Sequence, residues 1–289
     1  MSIITRALRR VPATVAALAL AGCATAATPP AGAPSATPSV RETEVRRQLT
    51  ALAHDSMQGR FTGSPGMWRA ARFIAEELRA AGVRPAGDDG FLQRMPLAVG
   101  RGQRGRSFAR LLPTWADTAD LAPDARGVGV NVVGIIPGSD PALRDEAVLI
   151  DAHYDHLASS GAAGGDSVFN GADDDASGVV AVLQIARAMA SGAPPRRTVI
   201  FLLTTGEEVG LLGTTWYIAH PVVPLERTSS NLEVEMIGRP DSLAGGAGRG
   251  WLTGYERSTM GDFLAAAGIP IVADPRPAQR FFERSDNIA

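Results

Sequence analysis

Residues 147–178 hold the densest run of side chains capable of chemistry. They read AVLIDAHYDHL, then a glycine-rich loop, then NGADDDASG. An apolar run ends in His153, Asp155 follows two residues later, and the triplet Asp173, Asp174 and Asp175 comes about twenty residues on. In this pattern a buried strand hands metal ligands to a loop at its carboxyl end. Downstream, TTGEEVGLLGT adds the adjacent pair Glu207 and Glu208, and NLEVEMIGRP adds Glu233 and Glu235. One imidazole with several carboxylates at strand ends is a donor set that suits a divalent metal ion.

In this order the four segments resemble the motifs of the M28 family of zinc-dependent exopeptidases, and the resemblance runs over residues 54–289. It implies two Zn2+ ions about 3.5–4 Å apart that activate a water and anchor the developing oxyanion. His153 is then the leading ligand of the first metal. Asp155 is placed to accept the other imidazole N–H, which fixes the tautomer and raises the ring's basicity. Counted back from Ser177 and Gly178, Asp174 matches the bridging ligand, which in the family is often followed by a cis peptide bond. The resemblance gives Glu208 to the second metal and leaves Glu207 unligated, as the general base that later protonates the leaving amine. Glu235 stands where relatives commonly have Asp, and takes the remaining first-metal role with Glu233 as fallback.

The family's second histidine ligand falls well after a segment like FFERSDNIA, and this sequence ends within that segment at Ala289. We therefore expect a chain short of that ligand and of the closing strands. Among the histidines present, His156 reads as a wall of the pocket, and His220 and His54 read as helix caps or surface groups. The implied activity is removal of N-terminal residues from peptides. Carboxypeptidase-like and glutaminyl-cyclase-like members share the scaffold, and an inactive protein that binds peptide or metal is the reading from a different class.

The scaffold is legible as alternating elements. Residues 130–136, 147–152, 198–203 and 231–237 are expected as strands, the first two being apolar runs continuous enough to be covered on both faces. Helices are predicted over 178–190, 209–219 and 259–267, the last stopped by Gly268 and Pro270. Upstream, 41–53 and 67–81 also have helical spacing, with Ala70, Ile74, Leu78 and Ala81 on one face and Gly82 as the stop. Residues 92–99, with Pro96 inside, read as an edge strand, and 100–127 have no readable element. The alternation predicts an α/β fold, a three-layer αβα sandwich around a central mixed, mostly parallel sheet.

With 289 residues, 45% hydrophobic and 20% charged, the chain can bury the core of one sizeable domain. A net charge of -2 without a basic stripe gives no electrostatic case for nucleic acid. Peptide substrates are the partner that the resemblance implies. Arg6, Arg9 and Arg10 precede an apolar run over 11–20 that is too short to span a bilayer and has the form of a secretory signal. Leu20, Ala21, Gly22 and Cys23 resemble the lipobox of bacterial lipoproteins, and Cys23, the only cysteine, has no partner for a disulfide. The expected organisation is a lipoprotein signal over 1–23, a Pro-, Ala- and Thr-rich tether over 24–40 and a peptidase domain over 41–289. This places the protein in the bacterial cell envelope, held by a lipid on Cys23 to the outer membrane and facing the periplasm, with a secreted or periplasmic form as the alternative.

Overall fold

The computed structural model describes residues 40–102, 105–158 and 166–289, so the signal, Cys23 and all of the tether but Val40 lie outside the described residues. The described residues belong to one compact unit. Two helices open it, α1 (Glu42–Leu52) and α2 (Pro65–Ala80). Ser64 caps α2 by accepting from the Met67 N–H at 3.2 Å, and Pro65 sits where its missing N–H costs nothing. Gly82, at φ +84°, carries the chain away from the far end.

The sheet is built from β1 (Arg84–Pro85), β2 (Leu92–Arg101), β3 (Ser107–Leu111), β4 (Arg126–Ile136), β5 (Ala147–His153), β6 (Thr198–Thr204) and β7 (Thr228–Glu233). The order is β3-β2-β4-β6-β5-β7, with β1 paired to β4. It is mixed but not mostly parallel as expected: only the ladders that β5 makes with β6 and β7 are parallel, and the remaining ladders are antiparallel, since β2, β3 and β4 follow one another without a crossover α-helix. The 92–99 strand is not an edge strand, because the unread segment after it supplies β3, which pairs alongside. Pro96 is tolerated there because the β3 ladder begins only at Leu97, so no N–H is required of residue 96 on that side.

Alternation along β6 shows how the layers form. Val199, Phe201 and Leu203 enter one core with residues of α1, α2 and α3 (Ala176–Ser191), whereas Ile200 and Leu202 enter another with Tyr217 of α4 (Leu212–Ala219). Helices thus cover both faces, giving the expected three-layer αβα sandwich. Beyond it lie α5 (Met260–Ala266) and a small parallel pair, β8 (Gly250–Leu252) and β9 (Ile271–Ala273). Among the described residues no helix is long and apolar enough to cross a membrane.

Two boundaries differ from expectation for reasons that matter to the site. The 209–219 helix starts late because Gly210 and Leu211 adopt left-handed backbone, at φ +109° and +57°. The 231–237 strand ends early: the Val234 N–H still donates to the Asp151 carbonyl of β5 at 2.9 Å, but the N–H groups from Met236 onward leave the ladder. Met236 N–H donates to Asp175 Oδ1 at 3.0 Å, Ile237 N–H to Ser177 Oγ at 3.0 Å and Gly238 N–H to Asp173 Oδ1 at 2.9 Å. Gly178 permits this crossing, since a Cβ there would lie 1.9 Å from the Val234 carbonyl oxygen.

Phe201 is fully buried under the larger core. Phe201→Ala is expected to cost about 3–5 kcal/mol in a denaturant titration. A loss below about 1 kcal/mol would mean that this core does not hold the sheet to the helices.

Candidate metal centre

Three strand ends and one helix start meet at a single point. His153 is the last residue of β5 and is completely buried. Its Nε2 lies 3.2 Å from Asp174 Oδ1 and has no hydrogen-bond partner. Its Nδ1 lies 3.2 Å from the backbone carbonyl of Asp155 and 3.7 Å from that residue's Oδ1. The carbonyl is therefore the nearer acceptor, because the Asp155 carboxylate is engaged elsewhere. It accepts the Thr62 hydroxyl at 3.1 Å and the Glu207 N–H at 3.2 Å, which ties the β5 end to the loop after β6.

The Asp triplet divides its work. Asp173 receives the Gly238 N–H and lies 3.2 Å from the Arg239 Nε. Asp175 caps α3 by accepting from Gly178 N–H at 3.0 Å. Asp174 alone turns to the centre, and the peptide bond that follows it is cis. The ligating atoms of His153, Asp174 and Glu235 lie within 4.8 Å of one another, as do those of His156, Asp174 and Glu208. Asp174 is common to both groups.

The structure thus brings together all six residues singled out from the sequence and separates the two glutamates left open. Glu235 faces His153 and Asp174, while Glu233 belongs to a different group with Asp151 and Asp286. His156 is not merely wall: its Nδ1 is 2.6 Å from Glu208 Oε1 and 4.0 Å from Asp174 Oδ1. Its position three residues after His153 was the available signal. His220 caps α4 and stacks on Trp216 with ring centroids 3.9 Å apart, and His54 caps a short 3-10 turn, both away from the centre.

Electrostatics mark the region as short of positive charge. Burial pushes the Glu207 carboxyl up to about 8, with Asp155 and Glu235 adding to the rise. Burial raises Glu235 as well. Burial opposes a charge on His153, yet the nearby carboxylates of Asp155 and Asp174 outweigh it and hold the imidazole well above its usual range. In the neighbouring group burial lifts Asp151 well above the usual carboxylate range, and burial with the nearby Asp286 lifts Glu233 to about 8. A divalent cation among such groups would favour their ionised forms. The orphaned Nε2 of His153 facing carboxylate oxygens is a donor set that zinc fits.

Residues 131–289 match the family model of Peptidase family M28. The chain belongs to this family. Among curated proteins, a vacuolar membrane protease of Tuber melanosporum is 36% identical over 110 residues, covering 36% of this chain and 10% of that protein. One of Aspergillus clavatus is 40% identical over 98 residues, covering 34% of this chain and 9% of its own length. The chain thus spans about a tenth of these relatives. In fold, this M28 chain is similar to a leucine aminopeptidase precursor from Bacteroides thetaiotaomicron (TM-score 0.53, 15% identity, 82% of this chain and 78% of that one). It is also similar to a Zn-dependent exopeptidase from Parabacteroides distasonis (TM-score 0.52, 17% identity, 80% and 71%). The relatives correct the expected location: similarity to vacuolar membrane proteases of fungi overturns the bacterial outer-membrane lipoprotein drawn from 1–23. A short cationic and apolar leader ending in Cys is too brief a pattern to specify a compartment.

Glu207 and Glu233 have folded values near 8 against an ordinary 4.5, so their neutral forms favour the folded state. That contribution is complete below about pH 4.5 and is lost as pH rises toward 8. His153, also raised, loses its contribution in the same direction. Chelator-treated protein should therefore melt several degrees lower at pH 8 than at pH 5.5, and zinc should flatten the dependence, as read by scanning calorimetry. A melting temperature that climbs over this window without metal would contradict the charge description.

Proposed function

We propose that the chain is a metal-dependent exopeptidase of the aminopeptidase kind, which removes N-terminal residues from peptides with two zinc ions and Glu207. The observation that carries this reading is the sharing of Asp174 between two donor groups, with Glu207 in neither and under the electrostatic influence of His153 and Glu235. His153, Asp174 and Glu235 would hold one ion; Asp174, Glu208 and His156 would hold the other. Family membership supports peptide-bond hydrolysis. The aminopeptidase form follows the leucine aminopeptidase precursor that shares the fold.

Bound zinc supplies Lewis-acid polarisation of the scissile carbonyl and lowers the pKa of water. The chain supplies the rest. Asp155 holds the His153 ring from behind through its backbone carbonyl and is itself fixed by Thr62 and the Glu207 amide. The same amide contact sets the Glu207 main chain against the β5 end, so its half-buried carboxyl stands next to the centre on a rigid turn. Glu207 takes the proton of the attacking water and returns it to the departing amine. Two cations nearby would bring its carboxyl down from about 8, so that it is ionised at neutral pH and able to act as a base.

Release of aminoacyl-anilide chromophore by the full chain should vanish with chelator and return with zinc. Release that ignores chelator, or none at any zinc concentration, would remove the peptidase reading. Glu207→Gln should retain its metal by elemental analysis and lose about 10²–10⁴-fold in kcat. Wild-type kcat in that variant would assign the proton transfer to another group.

A further inference from the structure

Arg60 is the largest fully buried side chain among the described residues, and it meets no carboxylate directly. Its guanidinium is spent on backbone carbonyls. Nε donates to Tyr154 O at 2.6 Å, Nη1 to Leu52 O and Asn170 O at 2.7 Å each, and Nη2 to Gly171 O at 2.8 Å. Tyr154 follows His153 directly, and Gly171 lies three residues before Asp174. One planar fork therefore joins the β5 end, the segment leading into the bridging aspartate and the end of α1.

The backbone around Arg60 is bent to make this reach. Gln58, Gly59 and Arg60 all adopt left-handed backbone, at φ +53°, +70° and +59°. For non-glycine residues such conformations cost on the order of 1–3 kcal/mol each and persist only where surroundings enforce them, commonly at functional sites. The fit is tight on the other side: a Cβ on Gly171 would lie 2.6 Å from Arg60 Nη2 and 2.4 Å from the Asp174 carbonyl oxygen. Burial lowers the guanidinium to about 10, still charged at neutral pH, and the charges that act on it through space are those of Asp155, Asp175, Asp174 and Glu208.

We infer that Arg60 is a positioning residue of the metal centre: it fixes both ends of the ligand-bearing segment and sets a permanent positive charge behind Asp174, so the donors are assembled before any cation arrives. This rests on the metallopeptidase reading above. Simple stapling of the loop is a different role, and Asn170 already contributes to it by donating to Ala53 O at 2.7 Å and Asp55 Oδ1 at 2.8 Å. What separates the two roles is the metal itself. Carboxylates that meet without a fixed counter-charge repel one another, and partners behind metal ligands typically govern affinity by 10–100-fold.

The test measures zinc affinity of the purified full chain by competition with a chromophoric chelator, and the visible spectrum of the cobalt-substituted protein. Arg60→Met should keep its far-ultraviolet circular dichroism, bind zinc about 10–100-fold more weakly and show an altered cobalt spectrum. Arg60→Lys keeps the charge but cannot span four carbonyls, and should fall between Arg60→Met and wild type. Arg46→Met, at an exposed surface arginine, should match wild type. Wild-type affinity and spectrum in a folded Arg60→Met would overturn the inference, as would wild-type values in Arg60→Lys if Arg60→Met fails to fold. Absence of stoichiometric metal in the wild-type chain would instead sink the metal centre as a whole, and this inference with it.

Discussion

The constraint on which this structure turns is the gathering of carboxylates around one buried imidazole. Asp155 and Asp175 are fully buried beside His153, and Asp174, Glu208, Glu207 and Glu235 close the same space. Removing a carboxylate from water is costly unless a cation or several donors receive it. The chain meets part of this cost with donors: Thr62 and the Glu207 amide serve Asp155, and the Gly178 and Met236 amides serve Asp175. At the centre itself, burial drives Glu207 and Glu235 toward their neutral forms. That imbalance is what bound divalent metal would correct.

The scaffold makes the gathering possible by what it interrupts. β7 ends early because the start of α3 captures the amides of Met236 and Ile237, and this turn brings Glu235 toward His153 while Glu233 stays in the sheet beside Asp151. Asp175 serves twice, as helix cap and as receiver of the Met236 amide, so the helix start and the strand departure are one feature. Its neighbour Asp174 is thereby left pointing inward. Rigid elements thus deliver each donor, which is the condition for a centre whose ligands hold their geometry.

Family M28 membership and the similarity to the Bacteroides thetaiotaomicron and Parabacteroides distasonis structures agree with the αβα layering. The fungal relatives are some ten times longer than the stretch they share with this chain, so their similarity speaks of a domain within a larger protein. It also shows how little a compartment can be inferred from a leader sequence. A short apolar run followed by cysteine is compatible with several addresses, whereas strand-end ligands must satisfy a geometry.

By itself the sequence determined the layering and named most of the candidate donors. Continuous apolar runs at 130–136, 147–152 and 198–203 leave no solvated face, so helices had to cover the sheet on both sides. Histidine and acids at the ends of such runs had to share one edge. Four matters were decided only in three dimensions: the pairing of β3 beside β2, the choice between Glu233 and Glu235, the approach of His156 to Glu208 and the reach of Arg60. Each depends on contacts between residues distant in the chain or on a strand leaving its period, and local pattern carries no information about either. Period two would have put Glu233 and Glu235 on one face. Amides captured by the Asp triplet and Ser177 broke that period, and with it the equivalence of the two acids.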